Sequence, residues 1–522
     1  MFGIKHNWDQ IPEKKHFGLD IIIVKIYRNY WLAYFFSLCY NRSGFLYEAN
    51  VFLGRMNLGR SKFGMRSRLW LPAVFFLVLG LFVVSGCGKD ESGKPKDVGS
   101  VEQAEKEATE GETLRLAWAE WPPADYLQEL SEDFTKETGI DVEVVQIPWP
   151  SFQNKIDLGF VGKSDSYDIV IGDSQWLGSN SVGGHYVKLT DWFDKNIDVD
   201  SIYGPAMTAF AEYPKGSKEY WALPAEVDAN GYVYRKDLFE NPKEKQAFKD
   251  KYGYELHVPK TYQQLRDVAE FFTRPPDLYG IATYFSKEYD GITMGFQQVM
   301  WSFGGSYGDT ETYKVKGHIN SDDSLKALEY YKELIEFSPP DAPNYYWQET
   351  LDAYKAGKVA MAMDYFAFLP GAVDPAQNPA YHDKSGFFIA PKGPKGHYIS
   401  IGGQGMSISS YSKRQQVAKD YMKWFIQKPV QEKWAKLGGF TPHKEVLQSD
   451  AFLNATPFNK AFAASFPYLR DFWAIPEYAE LLAVCQTNWN AVVVGSKSAK
   501  EALDTIANKH EEIFEEAGYY DE

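Results

Sequence analysis

"TLRLAWAEWPPADYLQELSEDFTKETGIDVEVVQIPW" (Thr113–Trp149) decides the fold, because two different periodicities alternate within it. The opening TLRLAWA alternates apolar and polar side chains, which is typical of a strand. Apolar residues then recur at helical spacing from Tyr126 to Phe134, and Gly139 is a typical helix stop. IDVEVVQIPW returns to the strand pattern. The stretch therefore predicts a strand, a helix and a second strand in immediate succession.

The same alternation continues beyond this unit. SFQNKIDLGFVG (151–162) indicates a short helix, and YDIVIGD (167–173) indicates a third strand. This order predicts an α/β fold with a mostly parallel sheet and helices on its faces. In such sheets ligands bind beyond the carboxyl ends of the strands. We therefore expect the loops at Trp118–Trp121, Trp149 and Asp173–Trp176 to converge on one rim.

The rest of the chain is richer in helix. Patterns of period 3.6 in YQQLRDVAEFFTR, WQETLDAYKAG and AKEALDTIANKHEEIFEEA predict helices. VAMAMDYF (359–366) and YISIGGQGMSISSY (398–411) predict further strands. About 410 residues follow residue 112, which is more than one core of up to ~250 residues accommodates. We therefore expect two domains.

An apolar run near the N-terminus ends at a single cysteine. Basic Met65–Arg68 precedes the uncharged run Leu69–Val84, and small residues precede Cys87. This order is typical of a signal peptide, here 65–86. Val-Ser-Gly-Cys resembles the bacterial lipobox, which implies cleavage before Cys87 and acyl chains on its sulfur that hold the protein at a membrane. The alternative is an uncleaved signal anchor with a cysteine there by chance.

The segments that flank this signal have different interpretations. Residues 87–112 contain almost no apolar side chains, so we interpret them as a lipid-anchored disordered tether. A secretory signal should begin a chain, yet 1–64 precede this one. We interpret 1–64 as a probable upstream mis-start, with Met56 or Met65 as the true start, or as an uncharacterised cytoplasmic extension.

Charge separates the N-terminal region from the body. Residues 1–86 contain 11 Lys and Arg against 4 Asp and Glu, whereas the whole chain contains 55 and 70. The remainder therefore has 44 and 66, a net charge of −22. Such an acidic body argues against nucleic acid or anionic lipid as a partner. Cys485 is the only cysteine after Cys87 and lies in an apolar helical pattern, so we expect it in the core.

An ordered set of segments extends over about 113–520. It includes SYDIVIGDSQWLG, HYVKLTDWF, YWALPAEVDANGYVYRKDLFEN, PKTYQQLRDVAEFF, AYKAGKVAMAMDYF and SKRQQVAKDYMKWFIQKPVQEKWAKLGGFTP. In this order the segments resemble the extracellular solute-binding proteins of bacterial ABC importers. The resemblance is greatest to the sugar-binding branch of maltose-binding-protein type. Residues 1–64 have no counterpart in that family.

The resemblance implies a two-lobed periplasmic-binding-protein fold of type II, in which two lobes close on ligand by hinge motion. Each lobe would be a mostly parallel sheet flanked by helices. Three crossings would lie near Glu226–Ala229, Met363–Asp364 and Gln427–Val430. The lobes would then comprise the ranges 113–226 plus 364–427, and 229–362 plus 430–522.

The resemblance also implies a mode of action. The protein would be a monomer outside the cytoplasm, in the periplasm or at the cell surface. It would bind a small solute, most simply a sugar or polyol, and deliver it to an ABC permease with its ATPase. It would use no cofactor, no metal and no nucleic acid, and it would not be an enzyme.

A sugar site needs flat aromatic faces for C–H groups and planar donors and acceptors for hydroxyls. The segments expected at the rim and hinges supply both kinds of side chain. The candidates are Trp118, Glu120, Trp121, Asp173, Gln175, Trp176, Glu226, Asp228, Asn230, Gln297, Trp301, Asp364, Tyr365, Phe366 and Gln404.

Several candidates have an equally simple structural interpretation. Trp118 alternates within an apolar strand, and Trp301 lies on a helical face, so either side chain suits a core. Asp173 would also suit a helix cap, and Asp228 a hinge turn.

Two other functions stay open at this point. The same aromatic and acidic side chains would suit a polyamine or another cationic solute through cation–π contacts. The amides of Gln175, Asn230, Gln297 and Gln404 favour neutral hydroxyls instead. A surface carbohydrate-active enzyme would need a pair of carboxyls across a cleft. The sequence contains none of the common hydrolase, metalloprotease or nucleotide-binding motifs, and its histidines lack metal-ligand spacing.

Overall fold

The computed structural model describes residues 113–520. The predictions for 1–64, for the signal peptide at 65–86, and for the tether at 87–112 with its lipid on Cys87 lie outside the described residues. Within the described part of the chain, no helix combines the length and apolar character needed to cross a membrane.

The strands form two sheets. Their order in the first is β2-β1-β3-β10-β4, and in the second β11-β9-β5-β7-β6 with β8 paired to β5. We call each sheet, with the helices packed on it, the first or the second lobe. The strands are β1 (Thr113–Ala119), β2 (Asp141–Ile147), β3 (Ile169–Asp173), β4 (Leu223–Pro224), β5 (Asp228–Arg235), β6 (Tyr279–Ala282), β7 (Val359–Tyr365), β8 (Ser385–Ile389), β9 (Ile399–Gly402), β10 (Gln404–Ile408) and β11 (Leu469–Arg470).

Both sheets are mixed in direction. In the first, β1 is parallel to β2 and β3, and β10 is antiparallel to β3 and β4. In the second, β5 is antiparallel to β7, β8 and β9, whereas β6 is parallel to β7 and β11 to β9. The α/β architecture is confirmed, but the second sheet is not mostly parallel, because its central strand runs opposite to three neighbours.

The helices cover the sheets and include those predicted from period-3.6 patterns. In chain order they are α1 (Pro122–Thr138), α2 (Trp149–Val161), α3 (Ser174–Val182), α4 (Thr190–Asn196), α5 (Gly204–Phe210), α6 (Lys236–Phe239), α7 (Pro242–Tyr252), α8 (Tyr262–Phe272), α9 (Gly291–Phe303), α10 (Asp322–Glu333), α11 (Trp347–Lys355), α12 (Pro370–Val373), α13 (Gln415–Phe425), α14 (Lys428–Leu437), α15 (Lys444–Leu447), α16 (Asp450–Leu453), α17 (Asn459–Ser465), α18 (Tyr478–Val493) and α19 (Ala499–Glu516).

The opening β1–α1–β2 unit has the predicted structure for identifiable reasons. Trp121 is extended before α1, and the prolines that follow it lie in the first turn, where their missing N–H groups cost no hydrogen bond. Leu127 and Phe134 are buried on one face of α1. The helix ends at Gly139, whose φ of 77° suits glycine and whose N–H donates to Thr135 O.

The chain passes between the two sheets at two short segments. One joins β4 to β5, between Pro224 and Asp228, and the other joins β9 to β10 at Gly403. Met363 and Asp364 instead lie inside β7, where they pair with β5. The crossing expected there is therefore displaced to Gly403, because β7, β8 and β9 all belong to the second sheet.

The segment after Gln427 remains with the first lobe for some distance. Lys433 of α14 has its Nζ 2.9 Å from Oδ2 of Asp133 on α1. Trp434 lies beside Trp118 of β1, with ring centroids 6.4 Å apart. A third passage therefore lies beyond α14, and the remaining lobe boundaries stay predictions.

Candidate functional site

A cavity whose empty space, open solvent included, is about 520 Å³ lies between the two lobes. The loops that follow β1, β2 and β3 meet there, as the geometry of parallel strands requires. The second lobe contributes the ends of β7 and β9 and the start of α9. The lining residues are Trp121, Trp149, Asp173, Ser174, Gln175, Phe210, Asp228, Asp290, Met294, Tyr346, Tyr365, Phe368, Ile401, Gly402, Gly403, Gln404 and Phe472.

Three aromatic rings form one wall of the cavity. Trp121 and Trp149 meet edge to face with centroids 5.5 Å apart, and Phe368 lies 5.3 Å from Trp121. Trp347 stacks on Phe368 from behind, with centroids 4.6 Å apart. Neither indole N–H of Trp121 or Trp149 has an acceptor among the described residues. The wall therefore presents flat apolar faces, and its two indole N–H groups are buried donors without a protein partner.

Asp173, at the end of β3, is the centre of a polar cluster. Its Oδ1 accepts from Gln404 Nε2 at 2.6 Å, and its Oδ2 accepts from the hydroxyl of Tyr289. Gln175 Nε2 lies 3.4 Å from the same Oδ2 and also donates to Tyr289 Oη at 2.8 Å. Burial raises the pKa of Asp173 despite these three donors. Because Tyr289 belongs to the second lobe, these bonds connect the two walls of the cavity.

Asp290, immediately before α9, faces Asp173 from the second lobe. Its Oδ1 accepts from Tyr346 Oη at 2.6 Å, and its Oδ2 lies 3.3 Å from Gln175 Nε2. Burial, and then the charge of Asp173, raise its pKa to about 7. The two carboxyls thus share one amide donor between them and face the same space.

Asp228 begins β5 and has a structural role as well as a place in the lining. Its Oδ1 accepts from its neighbour Ala229 N at 2.7 Å, and its Oδ2 accepts from Ala367 N at 3.0 Å. The second bond anchors the turn that carries Phe368 into the aromatic wall. Burial raises the pKa of Asp228 to about 7 even though backbone N–H groups stabilise its charged form.

Glu226 lies next to the cavity, in the first passage between lobes. It is completely buried, and neither carboxyl oxygen has a partner among the described residues. Burial, Asp228 and Asp173 together raise its pKa well above the ordinary value. Gly403 packs on its backbone so closely that a Cβ there would lie 2.4 Å from Glu226 O. The two passages therefore touch, and burial without a partner disfavours the ionised form of Glu226.

Direct contacts join the lobes beside the cavity. Lys215 Nζ lies 2.6 Å from Asp471 Oδ2 and donates to Phe472 O at 2.8 Å, and Phe472 lines the cavity. Gly178 of α3 packs against the segment after β11, where an added Cβ would lie 2.8 Å from Ile475 C. The described structure is therefore a closed arrangement of the two lobes.

The structure places six predicted site residues on the cavity surface. These are Trp121, Asp173, Gln175, Asp228, Tyr365 and Gln404. Tyr365 lines the cavity but its neighbour Asp364 does not, because successive side chains of β7 point to opposite sides of the sheet. Asp364 accepts from the hydroxyl of Tyr284 and from Thr350 Oγ1 at 3.4 Å instead.

The other predicted residues lie outside the lining. Glu120 is exposed, whereas the rest are buried behind the cavity or in the lobe cores. Trp118 packs between Trp121 and Trp434, and Trp301 lies beneath the guanidinium of Arg470. The residues outside the lining are Trp118, Glu120, Trp176, Glu226, Asn230, Gln297, Trp301, Asp364 and Phe366.

Buried amides among these residues have protein partners. Gln297 donates to Ser400 Oγ at 3.1 Å and accepts from Tyr307 Oη at 2.9 Å. Asn230 accepts from Gln298 Nε2 at 2.8 Å. These bonds connect α9 to the second sheet, so their role in the described structure is to hold the lobe together.

Sequence reasoning missed most of the second lobe's contribution. Asp290, Tyr346 and Phe368 were not among the candidates. In the first lobe, Trp149 was expected on the rim and does line the cavity. Asp290 stands directly before the apolar pattern of α9, which is the one local signal that could have identified it. Among residues 113–520, no group of three or more His, Cys, Asp or Glu side chains is arranged to hold a metal ion.

Residues 119–432 match the family described as "Bacterial extracellular solute-binding protein". One relative is a probable amino-acid ABC transporter periplasmic-binding protein of Sinorhizobium fredii, 22% identical, covering 78% of this chain and 91% of the relative. Another is the diacetylchitobiose-binding protein DasA of Streptomyces coelicolor, 24% identical, covering 74% of this chain and 85% of the relative.

A solved structure shares the fold. It is an ABC transporter solute-binding protein from Agrobacterium radiobacter K84 in complex with ribitol. The two chains superpose with a TM-score of 0.68 at 29% identity, covering 78% of this chain and all of the other.

Proposed function

Because the chain belongs to the bacterial extracellular solute-binding protein family, we propose that it binds a carbohydrate or polyol in the interlobe cavity and delivers it to an ABC permease with its ATPase. One observation carries the proposal of ligand class. The wall of Trp121, Trp149 and Phe368 faces a set of acceptor side chains that includes Asp173 and Asp290. This combination of aromatic faces and hydrogen-bond acceptors suits a molecule with C–H faces and several hydroxyls.

The chemistry of the lining disfavours other classes of solute. Carboxyls accept hydrogen bonds from ligand hydroxyls, and the indole N–H groups of Trp121 and Trp149 donate to hydroxyl oxygens. An anionic ligand would meet the carboxyls of Asp173, Asp228 and Asp290 in a poorly solvated space, which is strongly unfavourable. A purely apolar ligand would leave these groups without partners.

The ligands named for similar proteins support this class without agreeing on one compound. The structural relative at 29% identity contains ribitol, and DasA is named for diacetylchitobiose. The Sinorhizobium relative is named for an amino acid. We therefore infer a polyhydroxylated ligand from the aromatic and acceptor side chains of the cavity. Among the similar proteins, the ribitol complex supports this inference most directly.

Binding without catalysis accounts for the site best. A glycosidase needs one carboxyl as acid and another as base or nucleophile. Here Asp228 is bonded to two backbone N–H groups, and Asp173 and Asp290 each accept from a tyrosine and are approached by Gln175. These bonds hold the carboxyls as fixed acceptors, which suits recognition of hydroxyls.

We also propose that the protein is a monomer attached to a membrane through lipid on Cys87. Cleavage before Cys87 and lipidation of its sulfur would hold a monomer at the outer face of a bacterial membrane, near its importer. The order of basic, apolar and small residues before Cys87 supports this part of the proposal.

A thermal-shift panel tests the ligand class. The full chain, purified in mild detergent, is heated with sugars, polyols, amino acids and organic acids. Ligand at a hundred times its Kd stabilises the protein by about 2.7 kcal/mol, which raises the Tm measurably. We expect a shift with at least one sugar or polyol, and none with organic acids. A shift with organic acids alone contradicts the proposal.

Two tryptophan variants make the test specific for the cavity. Trp121→Ala should abolish the ligand-induced shift, because it removes a wall of the cavity. Trp192→Ala is the control, since Trp192 lies on α4 outside the lining. If the shift survives Trp121→Ala, the ligand binds elsewhere.

A further inference from the structure

The cavity is lined by acidic side chains and, among the described residues, by no basic ones. Three carboxyls line it, those of Asp173, Asp228 and Asp290, and none of its lining residues within 113–520 is lysine, arginine or histidine. Lys215 lies nearby, but its Nζ is already bonded to Asp471 and to Phe472 O. Like charges that share a poorly solvated space destabilise each other, so a bound cation would stabilise this arrangement.

Three buried polar atoms of the lining show what else the ligand must offer. The indole N–H groups of Trp121 and Trp149 have no acceptor among the described residues, and Gln404 Oε1 has no donor. These side chains are only 5%, 7% and 5% exposed, so solvent reaches them poorly. A ligand that donates to Gln404 and accepts from the two indoles would give these groups the partners they lack.

These two requirements together select one class of molecule. A plain polyamine supplies positive charge, but an ammonium group has no lone pair with which to accept from Trp121 and Trp149. A neutral polyol satisfies the indoles and Gln404 but leaves the carboxyls without a counter-charge. An amino group on a polyhydroxylated skeleton supplies both.

We propose, building on the proposed function, that the ligand is an amino sugar or amino polyol whose ammonium group binds beside Asp173 and Asp290. The Oδ2 atoms of both carboxyls lie within 3.4 Å of Gln175 Nε2, so the two carboxyls face one shared donor position. Those two contacts from Gln175 are long for N–H···O bonds, and an ammonium forms stronger, charge-assisted ones. The ring of Trp149 adds an aromatic face nearby.

A metal ion is the other cation that carboxyls could hold, and the geometry disfavours it. No three ligating side chains in the described part of the chain are arranged around one point. Asp228 also directs its two oxygens to the backbone N–H groups of Ala229 and Ala367. An organic ammonium needs only acceptors on one side, which Asp173 and Asp290 provide.

Matched pairs of ligands test the inference by calorimetry on the full chain. Each pair consists of a neutral molecule and its amine: glucitol with 1-amino-1-deoxyglucitol, glucose with glucosamine, and galactose with galactosamine. The measurement is made near pH 7, with 1,6-diaminohexane as a plain amine. We expect the amine of at least one pair to bind at least about tenfold more tightly than its partner, and the diamine to bind weakly.

Variants then locate the ammonium. Asp290→Asn keeps the size of the side chain and removes its charge, so the ratio of the two Kd values within the pair should fall toward one. Asp277→Asn makes the same change at an exposed position outside the lining and should leave the ratio unchanged. A general loss of binding raises both Kd values of a pair and leaves their ratio unchanged. Loss of the ammonium contact raises only the Kd of the amine and so lowers its advantage.

Each outcome has a distinct meaning. If a neutral partner binds as tightly as its amine, the inference is overturned and the proposed function stands. If 1,6-diaminohexane binds as tightly as the amino polyols, hydroxyls are not recognised, and both proposals fail. If no amine of any pair binds at millimolar concentration, the inference is overturned, and the thermal-shift panel of sugars and polyols decides the proposed function separately. A preference for amines that survives Asp290→Asn overturns the placement of the ammonium.

Discussion

Lys215 and Asp471 join the two lobes by an ion pair of 2.6 Å between Nζ and Oδ2. Lys215 lies in the segment before β4, and Asp471 follows β11. The same Nζ donates to Phe472 O, and the ring of Phe472 lines the cavity. The pair therefore fixes a cavity residue of one lobe to the other lobe.

Removing this ion pair should speed ligand release. Lys215→Met keeps the length of the side chain and removes both contacts, so the closed arrangement loses about 1 kcal/mol. We expect the dissociation rate measured by stopped-flow tryptophan fluorescence to rise about three- to tenfold. Lys218→Met is the control, because Lys218 is an exposed neighbour outside the lining. Equal rates for both variants would show that the pair does not hold the lobes closed.

Gly403 should tolerate no side chain. Its φ is 117°, and a Cβ there would lie 2.4 Å from Glu226 O, where two passages of backbone touch. Gly403→Ala should lower the free energy of unfolding by about 2–4 kcal/mol, measured by denaturant titration. Gly216→Ala isolates the backbone cost, since Gly216 has a φ of 84° but nothing within 4 Å of an added Cβ. That control should lose only about 1 kcal/mol, and similar losses would contradict the close approach at Gly403.

The stability of the protein should fall as pH rises between about 4 and 7. Burial raises the pKa of Asp228 and of Asp290 from 3.8 to about 7. In this range the folded state binds more protons than the unfolded state, so rising pH favours unfolding until both groups are ionised in both states. Burial lowers the pKa of His510 from 6.5 to about 4, which acts in the opposite direction within this range, so the contribution of the carboxyls is measured by comparison with a variant.

The Tm measured from about pH 5 to about pH 8 tests this dependence. We expect a decrease across the range for the unaltered chain without ligand. Asp290→Asn should make the decrease smaller, because one of the titrating groups is removed. If Asp290→Asn leaves the pH dependence of the Tm unchanged, Asp290 stays ionised in the folded protein throughout this range.

The hydroxyl of Tyr346 should contribute to ligand affinity. It donates to Asp290 Oδ1 at 2.6 Å and so fixes the direction in which the carboxyl faces the cavity. Tyr346→Phe should raise the Kd about three- to tenfold, because one bond to a charged group is lost. Tyr345→Phe is a closely matched control, since Tyr345 Oη donates to Asp341 at 2.8 Å outside the lining. An unchanged Kd for Tyr346→Phe would remove Asp290 from the binding surface.

Local patterns predicted the secondary structure well because they depend on neighbours along the chain. The β1–α1–β2 unit, with its end at Gly139, follows from periodicity and from the conformational freedom of glycine. The helices at Tyr262–Phe272 and Ala499–Glu516 were predicted in the same way. The parallel order of β1, β2 and β3 also predicted that Trp121, Trp149 and Asp173 would meet.

The assignment of later strands to a sheet could not be predicted from the same patterns. VAMAMDYF suits a buried strand in either lobe, and its place beside β5 depends on which strand of the folded chain is available to pair with it. The crossing expected at Met363–Asp364 was displaced for this reason. The side-chain directions at the site were equally unpredictable: Tyr365 lines the cavity, whereas its neighbour Asp364 lies outside the lining.

The sequence by itself determined the elements, the acidic and aromatic character of the body, and three loops that converge at the end of the first sheet. Periodicity and strand order are sufficient for these, because each depends on a short stretch of chain. Only the tertiary structure decided that Asp290 and Tyr346 face Asp173 across the cavity. Closure brings together residues more than a hundred positions apart, and no pattern along the chain records which buried polar groups will then face each other.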